Sequence, residues 1–425
     1  MGMVSRVKEL SNLFFDMRIL MIATGYPPYL FSENLCNGKL ALALLQNGIQ
    51  IDAVSRIDDG PSYSAEWIAP WDTLKPTANI IEYTSGNKLQ QIADVVYSGC
   101  KMGWNFSPGI RWARRAYEKG RELIKQHRYD AVITRSPNDI AHLVGYMLKK
   151  KTGCRWIANW NDPAAPIWPG QYKQDFSSAR QKKELEHTAM LLSSVDVNTF
   201  PSDSLRQHFI ENFPFLRNRA TGILPHIGLI DSAWPKGEQK SDEMKIRFLH
   251  SGNLSSERNP ETTFQAMRRL IDDGFDKFEF HIMGVINDYT IQLINKYNLD
   301  GYVKFIGSFP YIKALSKMQS YDVMVLLEAK LDKGIFFASK FTDYLQTGLP
   351  ILAISPKTGF AINKLSGKKG EYTAYNQDVD DIYRAIKQVL LDFNKNRHPD
   401  NDSRELYNDV SPKTVVNTLV DIIRR

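Results

Sequence analysis

Lys340 and Asp343 stand three residues apart in the stretch Phe337-Ala-Ser-Lys-Phe-Thr-Asp-Tyr-Leu-Gln-Thr-Gly-Leu-Pro-Ile-Leu-Ala-Ile354. On a helix, positions three apart are neighbours. A lysine beside the free N–H groups of a helix N-terminus is suited to hold an anion such as a diphosphate. A carboxylate one turn further in accepts hydrogen bonds and donates none, which is what a pair of ribose hydroxyls requires. The same spacing also suits an ordinary amphipathic helix, so position in the fold decides between the two.

The surrounding residues predict the element that would carry this pair. Phe341, Tyr344 and Leu345 fall at i, i+3 and i+4 and make one face apolar. Ser339 is an N-cap type, and Gly348 followed by Pro350 is a stop signal. Ile351 to Ile354 then reads as a short buried strand. Further strands are expected at Ile246-Arg-Phe-Leu-His-Ser251, Phe278 to Gly284, Val303 to Ser308 and Tyr321 to Leu327, with an amphipathic helix from Pro260 to Leu270. Strands alternating with helices predict a parallel sheet.

The first half uses the same grammar. Met17 to Gly25 reads as a buried strand, Tyr26 to Asn37 as a loop, Gly38 to Asn47 as a helix and Gln50 to Ser55 as a strand. This order opens a doubly wound sheet. Tyr129 to Thr134 is a later strand that ends at Arg135-Ser-Pro137. Trp156 to Asn159 runs into Asn161 and Asp162. Polar side chains at the C-terminal end of a strand face the ligand crevice in such sheets, although Asp162 before Pro163 also suits a turn cap. Pro61 to Ser85 reads as a polar surface excursion. Trp104 to Trp112 precedes a basic helix with Arg114, Arg115, Lys119, Arg121, Lys125 and Arg128. That helix is either a solvated face or a contact with a lipid surface.

At 425 residues, two domains are expected. Lys and Arg exceed Asp and Glu by seven, which suits phosphorylated ligands or an anionic membrane surface. The basic residues are spread and form no recognition module, so nucleic-acid binding is not expected. Cys36, Cys100 and Cys154 are scattered and without metal-ligand spacing, and read as reduced cytosolic thiols. No apolar run reaches the about 18 residues of a membrane span. The boundaries expected are an N-terminal extension at 1–16, a first domain at 17–234, a linker at 235–245, a second domain at 246–411 and a closing helix at 412–425. Translation beginning at Met17 is the other reading of the first segment.

Ser339-Lys-Phe-Thr-Asp-Tyr-Leu-Gln-Thr-Gly-Leu-Pro350 resembles the donor-site signature of family 4 glycosyltransferases, in the branch written Ser-Lys-x-x-Glu/Asp-Tyr-Leu. The resemblance runs from about Met17 to the C-terminus and is strongest from Arg247 to Ile354. It implies the GT-B fold, two Rossmann-like α/β domains facing a cleft, with the final helix crossing back to the first. Asp343 stands where the family's ribose-binding glutamate would. Ser251-Gly-Asn-Leu-Ser-Ser-Glu-Arg258 resembles the loop whose arginine and lysine hold the donor diphosphate. Arg258 matches that lysine, and Asn253 replaces the arginine. Lys340 is then the second cation, and Lys333 a weaker candidate. Gly307-Ser-Phe309 resembles the turn that reads the base edge. Ile335 stands where many members carry a first glutamate; Glu328 is nearby but out of register.

On the acceptor side the resemblance points to the loop holding Glu33, Asn37 and Gly38, where paired glycines are usual, and to Asn159, Asn161 and Asp162. It implies transfer of a sugar from a nucleotide-diphospho-sugar to a sugar or lipid-linked acceptor, with retention. Arg258 and Lys340 would stabilise the leaving diphosphate with no metal or other cofactor. Envelope or exopolysaccharide synthesis follows from the same likeness, as does a cytoplasmic place at the inner face of a membrane with contact through 104–128. The alternatives are a catalytically decayed scaffold and a nucleotide-sugar epimerase using His226 or Asp162.

Overall fold

The computed structural model describes residues 17–29, 31–58, 66–83, 87–102, 109–137, 139–239, 245–396 and 399–425. The expected extension at 1–16, residues 240–244 of the linker and residues 103–108 lie outside the described residues. Two compact units divide the chain. One is Met1–Ile230 with Pro412–Arg425, and the other is Asp231–Ser411. Both are parallel α/β units with the GT-B architecture expected from the sequence.

In the first unit, strands β1 (Arg18–Ala23), β2 (Gln50–Asp58), β3 (Ala78–Tyr83), β4 (Ala131–Arg135), β5 (Trp156–Asn159), β6 (Val197–Phe200) and β7 (Thr221–Ile223) lie in the order 3-2-1-4-5-6-7. All pairs are parallel; Ile19 lies between Ile51 of β2 and Ala131 of β4. Ile19 to Ala23 are buried, as a strand covered on both faces requires.

Three expectations need correction here. The helix expected from Gly38 begins at Ser32 and runs to Gln46, so Glu33, Asn34 and Asn37 belong to its first turns and not to a loop. Asn and Gly are poor helix formers, but tertiary bonds override propensity. Asn37 Nδ2 donates to Gly25 O at 2.7 Å and Asn34 Nδ2 to Tyr26 O at 3.0 Å. Within Pro61 to Ser85, Trp71 and Leu74 are fully buried, and Ala78–Tyr83 is the edge strand β3 beside β2. Trp112 opens no lipid-facing surface. It is buried, and its Nε1 donates to Ser55 O at 3.1 Å.

In the second unit, β8 (Ile246–Ser251), β9 (Phe278–Met283), β10 (Val303–Phe305), β11 (Val323–Leu327), β12 (Ile351–Ser355) and β13 (Tyr372–Tyr375) take the order 10-9-8-11-12-13, again all parallel. Its core joins Phe248, Phe264, Phe278, Phe280 and Val325. Within the expected linker, Pro235 and Lys236 lie on this unit, where Gln319 Nε2 donates to Pro235 O at 3.0 Å and Ser316 Oγ to Lys236 O at 2.6 Å. The helix Pro412–Arg424 returns to the first unit. It buries Val416 and Leu419, and Arg155 Nη2 donates to Ile422 O at 3.2 Å.

Candidate functional site

In the second unit the strand order reverses between β8 and β11, and the C-terminal ends of strands at such a point are where open α/β sheets bind ligands. Ser251 ends β8, Gly252 and Asn253 follow it directly, and Glu328 follows β11. The helix Lys340–Thr347 is set against this edge by its apolar face. Phe341, Tyr344 and Leu345 are fully buried, and Phe337 stacks on Phe360 with ring centroids 3.8 Å apart. Burial of each such side chain contributes roughly 1.5–3 kcal/mol. Tyr344 then fixes the register. Its hydroxyl accepts from Ser251 N at 2.8 Å and lies 3.4 Å from Ser251 O. Gly348 ends the helix in the left-handed region, φ +69°, as the sequence predicts. Ser339 precedes the helix with αR dihedrals, and its side chain does not cap it.

One turn before Tyr344, Lys340 lies over the backbone of Gly252. A Cβ built at Gly252 would meet Lys340 Nζ at 2.1 Å, and Gly252 has φ +136°. Burial and then the Arg258 guanidinium, against a weaker opposing pull from Asp343, push the Lys340 ammonium down to about 7. Burial also pushes the Glu328 carboxyl up to about 7, against the pull of Arg258. His250 is fully buried, its Nδ1 is 3.0 Å from Val325 O, and burial followed by Lys340 holds the imidazole neutral. An incompletely compensated positive centre beside a helix N-terminus is an anion site.

The structure brings the other candidates to this edge unequally. Asp343 is buried and its Oδ1 accepts from Tyr311 OH at 2.8 Å, which ties it to the segment after Gly307 and Phe309. Gly307 has φ +85° with open space around it, and Phe309 carries Lys313 and Lys317 over its ring at 5.6 and 4.8 Å. Asn253 closes the loop, its Oδ1 accepting from Val285 N at 2.9 Å. Arg258 is exposed. Ile335 is buried and Lys333 is exposed.

The first unit gathers a second polar cluster at the ends of β1, β4 and β5. Asn161 Nδ2 donates to Glu33 Oε1 at 2.9 Å and to Ser136 O at 2.8 Å. Arg135, buried, donates from Nε to Asn37 Oδ1 and lies 3.8 Å from Glu33. Burial pushes the Glu33 carboxyl up to about 8, opposed by Arg135 and reinforced by Asp162. Asn159 is fully buried with neither amide atom bonded. Gly38 is taken up by packing, since a Cβ there would meet Pro27 at 2.7 Å and Trp71 at 2.9 Å. Sequence reasoning did not single out Arg135; an arginine closing an otherwise apolar strand was the available signal. Among the described residues no group of three or more His, Cys, Asp or Glu side chains could hold a metal ion.

Residues 235–406 match the family described as glycosyl transferases group 1. The match covers most of the unit that carries Lys340. The fold is shared with solved structures across nearly the whole chain. Sucrose-phosphate synthase from Thermosynechococcus elongatus is 16% identical, with 96% of this chain and 98% of that one covered and a TM-score of 0.68. Anabaena Alr3699/HepE in complex with UDP and glucose is 14% identical, with 96% and 99% covered and a TM-score of 0.64. A glycosyltransferase from Rickettsia africae is 13% identical, with 96% and 98% covered and a TM-score of 0.63. No curated protein sequence matches. The family match and the fold together support a GT-B glycosyltransferase.

Proposed function

We propose that this protein transfers a sugar from a nucleotide-diphospho-sugar to an acceptor hydroxyl, with the donor held by the second unit. The observation that carries this reading is Lys340 Nζ laid over Gly252 at the reversal of strand order, one turn ahead of Tyr344 on Ser251. As the nucleotide leaves, negative charge grows on its β-phosphate. Lys340, Arg258 and the N-terminus of the helix Lys340–Thr347 stabilise that charge, a preorganised electrostatic role. Asp343 takes the ribose hydroxyls, and the Gly307–Phe309 turn the base edge. Glu33, Asn161, Asn159, Asn37 and Arg135 form the proposed acceptor-side cluster. Retention, independence from metal and a place in envelope or exopolysaccharide assembly rest on the resemblance of the signature residues.

Incubation with nucleotide-sugars and candidate acceptors tests the reading. A glycosylated product of unchanged anomeric configuration, with release of the nucleoside diphosphate, is the expected result. An epimerised donor would replace transfer with epimerisation, and binding without turnover would make the chain a scaffold. Asp343→Asn is expected to weaken binding of the matching nucleoside monophosphate roughly tenfold, since hydrogen bonds to a charged group are worth about 1.5–3 kcal/mol. Calorimetry reads this directly, and unchanged affinity rejects the ribose assignment.

A further inference from the structure

The residues that follow the helix Lys340–Thr347 are held at three points. Asn401 Nδ2 donates to Gly348 O at 3.2 Å, Ser403 Oγ donates to Leu349 O at 2.8 Å, and Ile351 N donates to Glu371 Oε2 at 2.8 Å. The holding residues are joined to one another. Ser403 Oγ lies 2.5 Å from Glu371 Oε1. Asp402 N donates to Lys369 O and Lys369 N to Asp402 Oδ2, both at 2.9 Å. The short helix Ser403–Tyr407 then reaches the candidate site, where burial and then the charges of Asp231 and Asp343 push the Tyr407 hydroxyl up.

Counting protons fixes the state of Glu371. Ser403 is fully buried, and its hydroxyl has one proton for two oxygen neighbours. With Glu371 ionised, that proton is drawn to the carboxylate and the Leu349 carbonyl loses it. With Glu371 neutral, every group is satisfied: Oε2 accepts from Ile351 N, the acid O–H donates to Ser403 Oγ, and Ser403 donates to Leu349 O. Burial pushes the carboxyl up to about 8, against the bonds from Ser403 and Ile351 N and with a smaller push from Asp402. Other charges on the adjoining segments are engaged or exposed. Lys369 Nζ pairs with Asp400 at 2.8 Å, and Tyr372 OH donates to Asp392 at 3.2 Å. Arg404 lies against Gly348, where a Cβ would meet its Nε at 2.6 Å, and Lys368 and Glu405 are exposed. We propose that Glu371, as a neutral acid, is a positioning residue that locks the segment Asn401–Tyr407 onto the end of the helix carrying Lys340 and Asp343, and that loss of its proton loosens that helix. The consequence for donor binding rests on the sugar-transfer reading; the lock itself does not.

Glu371→Gln keeps the same pattern, its amide N–H replacing the acid O–H and its oxygen accepting from Ile351 N, but it cannot ionise. A carboxyl raised on folding contributes stability that is full at low pH and lost as pH rises from the ordinary carboxylate range to about 8. The wild-type melting temperature is therefore expected to fall by several degrees relative to that of Glu371→Gln between about pH 5 and about pH 9. Hydrogen exchange reads the position of the helix. At about pH 6 the amides of 340–351 are expected to exchange at least tenfold faster in Glu371→Ala than in wild type, with those of Ile246–Ser251 unchanged, while Glu371→Gln stays within about twofold of wild type. At about pH 9, after correction for intrinsic exchange, wild type is expected to move toward Glu371→Ala and Glu371→Gln to stay. These measurements need no nucleotide-sugar, so failure of the transfer reading leaves them intact. A melting difference between wild type and Glu371→Gln that does not change with pH overturns the proposal. So does exchange in Glu371→Gln as fast as in Glu371→Ala, or exchange in Glu371→Ala that rises equally in both regions.

Discussion

Lys340→Ala is expected to lower kcat/KM for the nucleotide-sugar about 100-fold, the scale on which a single preorganised group acts on developing charge. The fold is expected to survive, because the helix is held by Phe341, Tyr344 and Leu345 and not by the ammonium. The loss should also carry a pH signature. Burial and Arg258 hold Lys340 at about 7 in the free protein. Above that pH the free lysine is neutral. A bound diphosphate restores its proton, so donor binding takes up a proton at pH 8 and weakens as pH rises through about 7. Calorimetry in two buffers of different ionisation enthalpy measures the uptake. Lys340→Arg stays charged at these pH values, so it is expected to abolish the uptake while retaining part of the affinity. Wild-type kinetics in Lys340→Ala would remove the residue from the site.

Gly252→Ala is the second large effect. A side chain at φ +136° costs roughly 1–3 kcal/mol, so the melting temperature is expected to fall by several degrees. The new methyl also occupies the place of Lys340 Nζ. The lysine tip is flexible and moves aside, so the variant folds but its cation no longer lies over the loop after β8. Turnover is expected to fall as in Lys340→Ala, whereas Gly274→Ala, at φ +83° with open space around it, is expected to show only the backbone cost. Full activity in Gly252→Ala would mean that the close approach of lysine and backbone does not matter.

The strands carrying the second-unit cluster were legible because each is a short apolar run: Ile246–Ser251, Val323–Leu327 and Ile351–Ser355 differ from expectation by at most two residues at an end. The helix Lys340–Thr347 was legible from its i, i+3, i+4 face and its Gly-Pro stop. Propensity alone failed at Ser32–Gln46, where asparagines that look like loop formers bond back to Gly25 and Tyr26. It failed at Ala78–Tyr83, an edge strand with a mixed pattern, and at Trp112, whose burial depends on a distant carbonyl of β2. Arg135 was hidden for a related reason. Its neighbours Asn37 and Glu33 lie about a hundred residues earlier, and only the strand order 2-1-4 brings them together.

The most direct measurement is the melting temperature of the wild-type chain and of Lys340→Ala against UDP-, GDP-, ADP- and dTDP-sugars, since a ligand that binds only the native form must raise it. A rise with one base, largely lost in the variant, is the expected result. No rise with any of them, or the same rise in both proteins, would contradict a diphosphate held by Lys340 at the end of β8.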